Sequence, residues 1–240
     1  MEHKPRRRII RTLLRQFINS AFQLICSFEL TGVENFPKQG PLLVAGNHFS
    51  FLDPVALIGI TPLQIEFVGG TNMPNAPAYL TWLTKLYGYY PVHRGGVSRD
   101  ALMAARKVLK GGGVLGIFPE AGSWAQVLRP PRPGLAYLAA TSGAPVLPVG
   151  LNNFPAIFRD LRSGKRAHVQ ANIGKPFYLF PHQNKKRPDR EELNEAGHRI
   201  MRAIADLIPS ERRGFYSNDP KIREAAKGTE IYPWENDPEI

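Results

Sequence analysis

The chain has 240 residues, 43% of them hydrophobic and 21% charged, which is enough for one well-buried core and excludes wholesale disorder. Its formal net charge of +11 calls for an anionic partner: a nucleic acid, an anionic membrane surface or a phosphorylated substrate. A single cysteine, Cys26, excludes an intramolecular disulfide, and no Cys and His spacing suits a metal site, so none is expected.

Residues 1–27 read as an amphipathic basic helix. Lys4, Arg6, Arg7, Arg8, Arg11 and Arg15 stand against one acidic residue, Glu2. From Ile9 onward the apolar residues Ile10, Leu13, Leu14, Phe17, Ile18, Ala21, Phe22 and Ile25 recur at helical spacing, with Thr12, Gln16, Asn19 and Gln23 between them. The uncharged run 16–28 would rise about 20 Å, short of the roughly 30 Å of bilayer hydrocarbon. Burying Arg11 or Arg15 at the membrane centre would cost about 3 kcal/mol each. The expectation is therefore a segment lying flat on the anionic cytoplasmic face of a membrane, each basic residue contributing roughly 1 kcal/mol. The alternative is a helix that packs its apolar face on the domain and leaves its arginines solvated. No nucleic acid is expected, because the basic residues cluster on this helix without a recognisable nucleic-acid module.

Residues 28–213 alternate strand and helix. Phe28–Val33 and Pro41–Gly46 come first, the second a continuous apolar run of the kind covered on both faces in a parallel sheet. Gln64–Val68, Tyr89–His93, Val114–Phe118, Val146–Gly150 and His168–Ile173 are further strands, with helices over Pro54–Ile60, Ala76–Leu86, Ser98–Lys110 and Gly134–Ser142. Asp189 is the N-cap of a helix running through Leu193, Ile200 and Ile204 and stopping before Pro209. The pattern predicts an α/β fold, a mostly parallel sheet flanked by helices. Residues 214–240 lose apolar periodicity, and an extended strap or a disordered tail is expected there.

The chemistry concentrates after the second strand, in Asn47-His48-Phe49-Ser50-Phe51-Leu52-Asp53-Pro54. His48 stands where a parallel strand ends, the place at which such sheets present ligand groups. Asp53 before Pro54 is a helix-start signature. One carboxylate oxygen can cap the helix while the other accepts from the imidazole, which orients His48 and favours the imidazolium formed when it takes a proton. An isolated His-x4-Asp is equally an N-capping aspartate beside an unrelated core histidine.

In this block the chain resembles the PlsC-like glycerolipid acyltransferase family, and three more blocks follow in order. Gly88-Tyr89-Tyr90-Pro91-Val92-His93-Arg94 is similar to the family's second block, Phe118-Pro119-Glu120 opens the third, and Ala144-Pro145-Val146-Leu147-Pro148-Val149 resembles the fourth. The resemblance implies His48 and Asp53 as the catalytic pair and Arg94 as the ligand of the acceptor's phosphate. It implies Arg132 as the basic residue two before a glycine. Glu120 is expected either to accept from an acceptor hydroxyl or to pair with an arginine. Arg129 and Arg132 flank Pro130 and Pro131 before a helix, which reads as an anion site or a rigid exposed loop.

What the resemblance implies is transfer of a fatty acyl group from acyl-CoA or acyl-carrier protein to a lysophospholipid, best matched by 1-acylglycerol-3-phosphate, with no cofactor beyond the donor. Transfer to another lipid acceptor and a lipid-binding protein without catalysis are the competing readings. One departure bears on the acceptor: the family continues Gly-Thr-Arg after the glutamate, and this chain has Ala121-Gly122-Ser123-Trp124.

Overall fold

Strand β2 (Leu42–Gly46) is buried along its whole length, as its unbroken apolar run requires. The structure, a computed structural model, describes residues 7–70, 86–92, 99–180, 188–229 and 231. The other strands are β1 (Cys26–Thr31), β3 (Ile65–Gly70), β4 (Tyr90–Val92), β5 (Val114–Ile117), β6 (Val146–Asn152) and β7 (Ala167–Ile173). Among the described residues they form one seven-stranded sheet in the order β1-β7-β6-β2-β5-β3-β4. All neighbouring pairs are parallel except β6 with β7, so β1 and β7 run against the other strands.

Helices cover both faces. They are α1 (Arg8–Ile25), α2 (Asp53–Ile60), α3 (Arg99–Lys110), α4 (Gly134–Ser142), α5 (Ala156–Arg162), α6 (Arg190–Ala205) and α7 (Pro220–Ala225). Side chains alternate along β2. Leu42 and Val44 join a core with Ile18 and Phe22 of α1, Leu57 of α2 and Ile157 of α5. Leu43 and Ala45 join a second core with Leu109 of α3, Leu138 of α4 and Ile200 and Ile204 of α6. The mostly parallel α/β expectation holds. The predicted cap of α6 is there too: Asp189 accepts from Glu192 N at 2.8 Å, and Glu192 returns the bond to Asp189 N at 3.3 Å.

Helix α1 differs from the sequence readings in the placement of Arg11. Arg11 is not on a solvated or lipid-facing surface. Its guanidinium makes a two-pronged pair with Glu66 on β3, at 2.7 and 2.9 Å, and donates to the carbonyls of Tyr87 and Gly88, each at 3.0 Å. The ring of Tyr87 lies 4.3 Å below it. Arg15 donates to the carbonyl of Pro62 at 3.0 Å. A long cationic side chain on the inward stripe can be buried only where acceptors surround it, and the start of β3 and the segment before β4 supply them. The apolar arc of α1 is wider than the domain covers. Arg11, Ile18 and Phe22 are buried, while Leu13, Phe17 and Leu24, at spacings of four and seven, remain 60%, 66% and 78% exposed.

The expected helix at 76–86 lies, but for its last residue, outside the described residues. Of residues 214–240, expected to be extended or disordered, the described part instead forms a 3-10 turn at Gly214–Tyr216 and the short helix α7, capped by Asp219, while 230 and 232–240 lie outside the described residues.

Arg11→Met removes the guanidinium from a buried carboxylate and should lower the unfolding free energy by about 3–5 kcal/mol. Chemical denaturation of the two proteins measures the difference, and a loss under about 1 kcal/mol would show that the pair does not anchor α1.

Candidate active site

Strand register brings the sequence blocks together. Ala45 pairs with Ile117 on β5 and Gly46 with Val149 on β6, so continuing the count sets His48 level with Glu120 on one side and Leu151 on the other. Asn47 extends the ladder with its side chain: its amide donates to Leu151 O at 2.8 Å and its carbonyl accepts from Leu151 N at 2.7 Å. This rung holds the end of β2 in place just where the chain turns.

In that turn Asp53 does not cap α2, contrary to the expectation of a divided carboxylate. A single oxygen, Oδ2, accepts from Phe49 N and Ser50 N, each at 2.6 Å, and lies 3.1 Å from Nδ1 of His48. The turn is so tight that its own amides converge on the carboxylate before the first helical amides can reach it. Ser50 Oγ accepts from Leu52 N at 3.1 Å, and Gln126 donates to the carbonyl of Phe49 at 3.0 Å. Asp53 is buried, and desolvation lifts its carboxyl above the ordinary range; the bond and charge of His48 and the amides of Ser50 and Phe49 act against that lift.

The His48 ring is stacked on Phe118, with centroids 4.3 Å apart and planes 24° from parallel. Its side chain is 16% exposed. With Nδ1 turned to Asp53, Nε2 is the nitrogen left for a substrate. An imidazole so held can take a proton from a hydroxyl and hand it on.

Glu120 is 1% exposed and is not a rim group offered to a substrate hydroxyl. Its Oε1 accepts from the backbone amide of His48 at 2.8 Å, and its Oε2 lies 3.3 Å from both the amide and Nε of Arg129. Of the two sequence alternatives, pairing with an arginine is what the structure contains. Burial pushes the Glu120 carboxyl up to about 7; Arg129 and the amides of His48 and Arg129 oppose this, and the charge of Asp53 adds to it.

Arg129 is likewise buried, so the reading of Arg129 and Arg132 as a shared anion site or an exposed loop gives way. The Arg129 guanidinium lies 3.5 Å over the ring of Trp124 and donates to the carbonyl of Gly122. Ala121, where the family has glycine, sits at φ 59°, in the left-handed region although it carries a Cβ. That conformation costs roughly 1–2 kcal/mol for a non-glycine residue. Arg132 is exposed, and its amide donates to Pro119 O at 2.8 Å, which places its backbone one residue from Glu120. Arg94 lies outside the described residues; β4 ends at Val92, beside Gly70 of β3.

The structure thus brings His48, Asp53 and Glu120 together and sets Arg132 close by along the backbone. Sequence reasoning missed the positions of Asn47, Phe118 and Arg129. Asn47 and Phe118 stood inside the quoted blocks, but no local pattern marked their partners. Arg129 read as a surface charge.

Comparison with known proteins comes to the same region. Residues 27–152 match the model of the family described as Acyltransferase. A 1-acyl-sn-glycerol-3-phosphate acyltransferase of Bacillus subtilis is 24% identical over 199 residues, covering 80% of this chain and 96% of the relative. An enzyme of the same description from Borreliella burgdorferi is 28% identical over 130 residues, 52% of this chain and 50% of its own length. The crystal structure of the 1-acyl-sn-glycerophosphate (LPA) acyltransferase PlsC from Thermotoga maritima superposes with a TM-score of 0.59 at 22% identity. That superposition covers 82% of this chain and 78% of the other, a likeness of fold.

Asn47→Ala leaves the amide and carbonyl of Leu151 unpaired in the interior and should cost about 2–4 kcal/mol. Denaturation midpoints measure it; a variant as stable as the parent would remove Asn47 from the support of the turn.

Proposed function

The chain belongs to the acyltransferase family, as its four blocks implied, and from that premise we propose that it moves a fatty acyl group from a thioester to the hydroxyl of a lysophospholipid, 1-acylglycerol-3-phosphate being the best-matched acceptor. The observation that carries the reading is the His48–Asp53 pair, 3.1 Å apart, with a partly exposed imidazole at the end of the central parallel strand. In this mechanism the acceptor hydroxyl gives its proton to Nε2 of His48 as its oxygen attacks the thioester carbonyl. The tetrahedral intermediate collapses, the carbon–sulfur bond breaks, and the leaving thiolate takes the proton back from the imidazolium. The products are an ester and a free thiol, and no covalent enzyme intermediate is needed. Asp53 fixes the ring and stabilises the imidazolium while it lasts.

Arg94 and Arg132 are the proposed ligands of the acceptor's phosphate, since a planar fork of donors suits a phosphate better than a point charge. Acyl-CoA or acyl-carrier protein would serve as donor, both phosphorylated carriers suited to a chain of net charge +11. In this reading the protein works in phospholipid biosynthesis. A different lipid acceptor is the second reading, and one observation favours it: the arginine that the family carries after its third-block glutamate is replaced by Ser123, and the nearby Arg129 is buried against Glu120. Purified protein supplied with acyl-CoA and a panel of lysolipids with and without a phosphate separates the two.

The same proposal sets the protein peripherally on the cytoplasmic face of a membrane. Support comes from α1, whose exposed stripe of Leu13, Phe17 and Leu24 is apolar, with Arg7 and Arg8 exposed at the start of the helix. Among the described residues no helix is long and apolar enough to cross a membrane. A helix docked along one edge and apolar along the other suits a bilayer interface, with anionic headgroups beside the arginines.

His48→Ala should lower kcat by about three orders of magnitude, and Asp53→Asn by about two or more. Robust transfer by a soluble, folded His48→Ala protein would sink the mechanism. Leu13→Ser with Phe17→Ser should weaken binding to anionic vesicles on the order of tenfold or more, since each exposed side chain contributes about 1–2 kcal/mol when immersed. Co-sedimentation measures this. The pair is a better probe than deletion of α1, which would also strip Ile18 and Phe22 from the core; equal vesicle binding would count against the membrane face.

A further inference from the structure

The catalytic turn leans on a second buried ion pair that the reaction itself does not use. Glu120 holds the backbone amide of His48 with one oxygen and faces Arg129 with the other. Arg129 in turn is held on three sides. Its guanidinium lies over Trp124 and bonds the carbonyl of Gly122, and its main chain follows Leu128, whose amide and carbonyl are bonded to Arg212 and Phe215. Trp124 is fixed by a bond from Nε1 to the carbonyl of Thr229 at 2.9 Å. A side chain built onto Gly122 would run into the Trp124 ring, so the glycine is what lets that ring cover the loop. The whole 121–131 loop is thereby clamped between the C-terminal segment and the turn that carries His48.

We infer that Arg129 is a positioning residue for acyl transfer: paired with Glu120, it fixes the amide of His48 and through it the direction of the imidazole. The inference rests on the reading of His48 as the base.

The pairing has a chemical consequence. Ionised Glu120 is the form that pairs with Arg129 and accepts most strongly from the His48 amide. Burial pushes that carboxyl up to about 7, and Arg129 is the first of the influences holding it down. The groups that face it are Arg129 from the loop, His48 from the turn, Asp53 from α2 and Tyr216 from the segment after α6; the charge of Asp53 raises it, and Glu120 in turn pushes the Tyr216 hydroxyl up. Without Arg129 the carboxyl rises further and is protonated at neutral pH. The competent, ionised form then appears only at higher pH.

The test uses the full chain with acyl-CoA and a lysophospholipid acceptor. Arg129→Met should cut kcat on the order of tenfold or more near neutral pH, with KM for both substrates changed by no more than about threefold. The acid limb of its pH profile should move up by about one unit or more, so that activity returns as pH rises. Adding Glu120→Gln should recover part of the lost kcat, because the neutral amide needs no counter-ion and its carbonyl can still accept from His48. Arg129→Lys, which keeps the charge and loses the planar contact with Trp124, should fall between parent and Arg129→Met; it carries the test if the methionine variant does not fold. Independently of turnover, the amide NMR signal of His48 should follow the ionisation of Glu120, and that transition should move to higher pH in the variant.

A folded Arg129→Met protein with parental kcat and pH limb overturns the inference, and so does a raised KM at unchanged kcat, which would make Arg129 a substrate ligand. Transfer by His48→Ala would overturn the acyl-transfer reading and this inference with it. Loss in His48→Ala beside a parental Arg129→Met overturns the positioning role alone.

Discussion

A chain that leaves the central strand of a parallel sheet and enters a helix within a few residues carries backbone amides that neither element can satisfy. Between β2 and α2 the amides of His48, Phe49 and Ser50 are in that position, and two buried carboxylates take them. Asp53 accepts from Phe49 and Ser50, and Glu120 accepts from His48. The direction of the His48 ring follows from this arrangement, because the oxygen that gathers the amides is also the one beside Nδ1. Burying two carboxylates raises their affinity for protons, and each is compensated: Asp53 by the imidazole and two amides, Glu120 by Arg129 and two amides. An imidazole held by Asp53 and Phe118, on a backbone whose amide is held by Glu120, has few ways to reorient, which is the preorganisation that proton transfer in a fixed geometry requires.

The third-block loop departs from the family motif in its letters. Alanine stands where glycine is usual, in a left-handed backbone at φ 59°. The next residue is glycine, and the ring of Trp124 occupies the room it leaves. The arginine of the family motif is absent at that point, and a different guanidinium, that of Arg129 nine positions on from Glu120, lies buried against the glutamate. The C-terminal segment belongs to the same scaffold, since it supplies the carbonyl of Thr229 to Trp124 and backbone partners to Leu128.

Helix α1 divides its apolar arc in two. The inward part carries Ile18 and Phe22 into the core and uses Arg11 as an anchor, bonded to Glu66 and to the carbonyls just before β4. The outward part is left to the solvent side. In the proposed membrane-bound state this fixes the domain against the bilayer: the helix that meets the lipid is tied through Arg11 to the segment leading into β4 and the second block.

The sequence alone determined what depends on neighbours along the chain. The unbroken apolar run of β2 announced a strand covered on both faces, Asp189 and Glu192 announced the start of α6, and a spacing of five residues allowed Asp53 to fold back on His48. Only the tertiary structure decided which charges are buried and what they hold. Glu120 meets the amide of His48 across 72 residues, Asn47 meets Leu151 across 104, and Arg11 meets Glu66 across 55. None of these pairs leaves a local pattern, because an arginine or glutamate has the same letter whether solvated at a surface or desolvated in an ion pair. The sheet order separates those outcomes, by placing the ends of β2, β5 and β6 side by side so that residues distant in sequence become hydrogen-bond partners away from water.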